Sequence, residues 1–117
     1  MNEKTLEKIS ATLKAGSPVV TAADVKHGVM EQVQLYFESE GQAVMDVVSK
    51  DDLVQNWPDA GAYVFNCDGK FRKVTMFEGE EDMYFRTDGT KEEQDNFGEL
   101  PNIIFLETLE EISQMSL

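Results

Sequence analysis

The twelve residues from Asp88 to Glu99 come closest in this chain to a metal-binding spacing. A calcium loop between two helices takes oxygen ligands at its first, third, fifth and ninth positions, glycine at the sixth and a bidentate glutamate at the twelfth. Asp88, Thr90, Glu92, Asn96 and Glu99 fill the oxygen positions, but Glu93 stands in place of the glycine and Asp95 in place of the apolar residue usual at the eighth. Without glycine at the sharp turn the backbone does not wrap an ion, so solvated carboxylates are the expectation. No metal or cofactor is assigned.

Nucleophilic chemistry would need Cys67, the single cysteine, activated by His27, the single histidine. One of each makes no motif, and Asn66-Cys67-Asp68-Gly69 reads as a turn that accounts for the cysteine's neighbours. The adjacent pairs Asp51 with Asp52 and Glu80 with Glu81 offer two carboxylates each, yet acid–base work needs one of them desolvated. The glycine-rich phosphate loops, the zinc-protease signature and the paired-cysteine redox motif are missing from the sequence. No catalytic residue is assigned, and the balance leans away from an enzyme.

Charge is the stronger signal. The chain carries 10 basic and 23 acidic residues, net −13. Residues 1–77 hold eight basic and eleven acidic groups (−3), whereas 78–117 hold two and twelve (−10). Nine carboxylates crowd into 78–99: Glu78, Glu80, Glu81, Asp82, Asp88, Glu92, Glu93, Asp95 and Glu99, opposed by Arg86 and Lys91. Such a surface repels nucleic-acid phosphates and anionic lipid and attracts basic proteins. The reading is therefore a non-enzymatic acidic module for a basic protein partner, of the inhibitor, immunity, nucleic-acid-mimic or chaperone-like kind. The alternative is a small-molecule-binding or enzymatic domain with a pocket between sheet and helices around Trp57, Tyr63, Phe65 and Cys67. In the plainest reading the charge serves solubility alone and the chain forms a homodimer.

The elements that must position these groups follow from periodicity. Leu6, Ile9 and Leu13 make the apolar stripe of a helix over 3–14, capped by Asn2 and closed by Gly16 and Pro18. Thr21 and Asp24 have the spacing of a weak capping box, which with Gly28 predicts a second helix of about two turns. Val29, Glu31, Val33, Leu35 and Phe37 then alternate with Met30, Gln32, Gln34, Tyr36 and Glu38, a strand whose apolar face only Glu31 breaks. The polar turn after it and the β-rich run 43–48 make 29–48 a hairpin. Ser49 caps a helix through Trp57, with Asp51 and Asp52 at the positive end of its dipole and Pro58 as its stop.

A second hairpin spans 62–77. A bulged loop ending at Gly69 pairs Phe65 with Phe71 and gathers Tyr63, Phe65, Phe71 and Phe77 on one face, leaving Lys70 and Arg72 opposite with Val64, Val74 and Met76. Residues 83–86 form a short aromatic strand, 88–90 a turn and 91–96 one acidic helical turn. The end reads either as a strand over 103–106 followed by a helix over 109–115 or as one helix over 103–115.

This order predicts a single α+β domain over 1–117: a mainly antiparallel sheet of about five to six strands with an N-terminal, a middle and a short C-terminal helix on one face. With one face covered, Met30, Tyr36, Val64, Val74 and Met76 would be presented to a partner or second copy. The polar start MNEKTLEKIS, the lone cysteine and the lack of any apolar run approaching the roughly twenty residues of a membrane span make a soluble, cytoplasmic protein the expectation.

Overall fold

A computed structural model describes residues 3–66 and 69–103. The elements are α1 (Glu3–Lys14), β1 (Val19–Lys26), β2 (Val29–Ser39), β3 (Gln42–Ser49), α2 (Lys50–Gln55), β4 (Ala62–Phe65), β5 (Phe71–Glu78) and β6 (Met83–Arg86). They build one six-stranded sheet in the order β3-β2-β1-β4-β5-β6. The β1·β4 pair is parallel and the other four are antiparallel, so the sheet is mixed. The radius of gyration, 13.5 Å, is near the ~13 Å of a single domain of this size.

The helix expected from Thr21 to Gly28 is instead most of strand β1. His27 and Gly28 both take positive φ (54° and 76°), which closes the two-residue turn between Lys26 and Val29. The small residues Ala22 and Ala23 suit a helix in isolation, but here they sit in a central strand bounded by β2 and by β4 and the Pro101 carbonyl, and tertiary pairing outweighs local propensity. Two ladder irregularities leave Thr21 of β1 and Glu31 of β2 without a cross-strand partner. The bulge at Glu31 is the physical answer to the one polar residue on an apolar face: it reverses the alternation, so Val29 is exposed and Met30 is buried.

Alternation along β2 also shows where the helices lie. Val33 and Leu35 share a core with Leu53 of α2, while Tyr36, pointing the other way, packs with Ile9 and Leu13 of α1. The helices therefore cover opposite faces, not one, and the exposed patch expected of Met30, Tyr36, Val64, Val74 and Met76 does not form: the first four are at most 3% exposed and Met76 packs against the α2-side core.

The second hairpin has the expected register, with Phe65 opposite Phe71 and the rings of Tyr63 and Phe71 stacked at 5.2 Å. Ser49 caps α2 as read, its hydroxyl accepting from the Asp52 N–H at 3.2 Å. Residues 91–96 are not helical; the chain bends at Glu93 and Gln94, where the Gln94 N–H donates to the Glu92 carbonyl at 2.8 Å, and Asn96 forms a parallel bridge to Arg86 of β6. The alternatives for 103–115 lie beyond Ile103 outside the described residues. Among the described residues no helix is long and apolar enough to cross a membrane.

Candidate functional site

The acidic stretch is anchored by a carboxylate with no solvent exposure. Asp95 accepts from the backbone N–H of Met30 (2.7 Å) and of Phe85 (2.9 Å) and from the Lys50 ammonium (2.8 Å). It thereby ties β2, β6 and α2 together at one point. Lys50 opens α2, where the helix dipole disfavours a cation, and its burial is explained by what surrounds it: Asp95, Asp82 at 3.3 Å, and the Tyr84 ring, whose centroid is 4.6 Å away. A buried charge is tolerated when it is paired and hydrogen-bonded, and both conditions hold here. Gly28 completes the anchor by backbone: its carbonyl accepts from the Asp95 N–H at 2.7 Å, and a Cβ on it would sit 3.0 Å from Gln94.

A second clamp lies beside the first. Arg86, buried at 5% side-chain exposure, grips Asp88 with both arms of its guanidinium, Nε to Oδ1 at 2.9 Å and Nη2 to Oδ2 at 2.6 Å. Its Nη1 donates to the Gln94 carbonyl at 3.0 Å, and Glu92 lies 3.8 Å from Nη2. The Arg86 hydrogen bonds, seconded by the Thr90 N–H and hydroxyl, hold the Asp88 carboxyl well below its ordinary value of 3.8 and push the guanidinium further up. With a folded-state pKa below the unfolded one, Asp88 contributes stability that is complete above pH 3.8 and is lost only as pH falls toward the folded value. In acid titrations of wild type against Asp88→Asn, the stability difference is expected to stay constant from neutrality to about pH 5 and to shrink below pH 3.8.

The nine carboxylates accordingly separate into three groups. Asp95 is interior and Asp88 is held by Arg86. Glu99 is distant, because its carbonyl accepts from Asn66 at 3.3 Å, at the end of β5 away from the 79–82 loop. The other six, Glu78, Glu80, Glu81, Asp82, Glu92 and Glu93, are exposed and lie together: the Glu93 carboxylate accepts from the Glu80 N–H at 2.6 Å, and Lys50 spans Asp82 and Asp95. The two acidic loops are therefore one surface along the β6 edge. Asp88, Glu92 and the Gln94 carbonyl gather on the Arg86 guanidinium, and among the described residues no three His, Cys, Asp or Glu side chains gather to hold a metal.

Of the four residues expected around a pocket, Trp57, Tyr63, Phe65 and Cys67, the described ones lie on two different faces of the sheet. Trp57 packs on Phe85 at 5.2 Å on the α2 side, whereas Tyr63 and Phe65 belong to the α1 side, and Cys67 lies outside the described residues. A different groove of about 410 Å³ opens between α1, α2 and the β2–β3 end of the sheet. Leu13, Leu35, Phe37, Val48 and Leu53 make its apolar floor, and Glu38, Asp46, Asp52 and Lys14 its rim. Basic residues gather elsewhere: Lys4, Lys8, Lys70 and Arg72 line an open depression with Phe65 and Phe71.

Sequence reasoning missed Lys50, whose burial depends on a partner 45 residues away; between a cap and two aspartates it reads as an ordinary exposed helix residue. Arg86 was legible as a cation in an acidic run, but not as a buried one. No known protein family, curated protein or solved structure matches this chain.

Proposed function

We propose that the chain is a small acidic protein-binding module whose basic partner docks along the β6 edge, over Glu78, Glu80, Glu81, Asp82, Glu92 and Glu93. The observation that carries this reading is the hydrogen bond from the Glu80 N–H to the Glu93 carboxylate, which joins the loops before and after β6 into one acidic surface. Lys50 and Arg86, cations that reach this region, are held mainly by the inner carboxylates Asp95 and Asp88, and touch Asp82 and Glu92 only at its inner margin, so the exposed side keeps a net negative field. Such a field speeds encounter with a cationic partner and selects against anionic ones more than it adds affinity. Inhibitor, immunity, nucleic-acid-mimic and chaperone-like roles share this mechanism.

The test is a pull-down on the immobilised chain and on the variant E78Q/E80Q/E81Q/E92Q, which spares Glu93 and the anchors. Basic proteins are expected on the wild type, released by raised salt, with association to the variant slowed about tenfold or more. Captured proteins that are neither basic nor salt-sensitive, or that bind the variant equally, would sink the reading. The groove at the β2–β3 end favours a second reading, a ligand with an apolar body and a cationic group. In a thermal-shift screen, a hydrophobic amine that raised Tm equally in wild type and the four-Gln variant would favour it.

A further inference from the structure

We propose that the outer edge of β3, which no described strand covers, is a self-association surface, on which a second copy of this chain adds its own β3 antiparallel and joins two six-stranded sheets into one. The inference stands apart from the acidic surface, which lies on the opposite edge of the sheet.

The hairpin turn decides which backbone groups are free. Glu40 and Gly41 both take positive φ (51° and 78°) between the paired residues Ser39 and Gln42, the two-residue turn in which the flanking residues exchange both hydrogen bonds. Alternation from there directs Gln42, Val44, Asp46 and Val48 toward β2 and turns the N–H and C=O of Ala43, Met45 and Val47 outward. The Val47 N–H bears this out, because it donates to its neighbour's carboxylate, Asp46 Oδ1, at 2.8 Å rather than to a strand. Among the described residues nothing pairs beyond β3.

This edge is lightly guarded, by Asp46 alone, whose carboxylate would have to release the Val47 N–H when a second strand pairs. It runs eight residues without a register shift and has neither lysine nor proline, the usual protections, while Val44, Met45 and Val47 are 38%, 41% and 38% exposed. It is also self-complementary. A two-fold axis at Met45 sets Met45 against Met45, Ala43 against Val47 and Val44 against Asp46 of the second copy, so no like charges stand directly opposite and the two Asp46 carboxylates are diagonal neighbours, about 7–8 Å apart, whose repulsion salt screens.

Charge placement favours a second copy over a charged stranger. The acidic edge is five strand spacings away, about 24 Å at ~4.8 Å each, or about three screening lengths at about 0.15 M salt. Pairing through β3 leaves both acidic edges outermost. A basic partner is drawn to that far edge, whereas between 42 and 48 the β3 edge carries Asp46 as its one charged side chain.

Sedimentation velocity over a concentration series, at about 0.15 M and about 1 M salt, tests this. Wild type is expected to dimerise and to tighten with salt, because screening relieves the repulsion of two −13 chains. Met45→Pro removes an outward N–H while sparing the β2 ladder, and Met45→Lys brings two cations together at the axis. Each is expected to weaken dimerisation at least about tenfold, with the four-Gln variant still dimeric. If Met45→Pro misfolds by circular dichroism, Met45→Lys decides. A monomer at every concentration and salt overturns the proposal, as does a dimer that survives both Met45 variants. Self-association that salt dissolves also overturns it, pointing instead to contact between the acidic edge and the basic depression of another copy.

Discussion

Asp95→Ala is expected to lower the unfolding free energy by about 3–5 kcal/mol, read as a fall in the urea midpoint at unchanged slope. Against the roughly 5–15 kcal/mol total of an ordinary domain, that is a large share. The size follows from what is stranded: the Met30 and Phe85 N–H groups lose their acceptor, and Lys50, 7% exposed, keeps its charge without its closest counter-ion. Lys50→Met should be severe for the mirror reason, since it leaves the carboxylate buried with two neutral donors. Combining Lys50→Met with Asp95→Asn is expected to be milder than the sum, because no unpaired charge then remains inside. An Asp95→Ala loss under about 1 kcal/mol, an ordinary surface value, would show that this carboxylate does not tie the three elements. The acidic surface depends on the same anchor, so this variant should also loosen the 88–94 segment and weaken partner capture.

Phe85→Ala carries the second large effect, again about 3–5 kcal/mol. Phe85 is fully buried, with Trp57 at 5.2 Å and Phe97 at 5.9 Å between ring centroids, and truncation empties the centre of the α2-side core. Trp57 is the single tryptophan, so its fluorescence reports both the unfolding transition and any native-state change around the cavity. Because the Phe85 N–H also donates to Asp95, the two substitutions share a neighbourhood and are expected not to add. Additivity within about 0.5 kcal/mol would mean that the core and the anchor are independent.

What could be read in advance was whatever neighbours in sequence settle between themselves. The stripe of α1, the Ser49 cap, the 29–48 hairpin, the Phe65–Phe71 register and the 83–86 strand all follow from local periodicity or turn chemistry. The misses have the opposite character. Thr21–Gly28 looked helical because Thr21 and Asp24 have capping-box spacing and Gly28 stands as a stop, and only the strands on either side of β1 decide otherwise. Residues 91–96 looked like an acidic helical turn, but Asn96 bridges to Arg86 and Asp95 is drawn into the core, so the segment bends at Glu93 and Gln94 instead of coiling.

The acidic stretch divides along the same line. Composition alone determined that this chain is strongly acidic, that the excess lies in its last forty residues and that no catalytic motif accompanies it. Only the tertiary structure decided that Asp95 is a buried tie, that Asp88 belongs to Arg86, and that six other carboxylates share one edge of the sheet while β3, among the described residues, ends it at the other. The reason is physical. A carboxylate's role depends on the donors and the solvent around it, and here those donors come from β2, α2 and β6, which sequence spacing does not bring together and the folded sheet does.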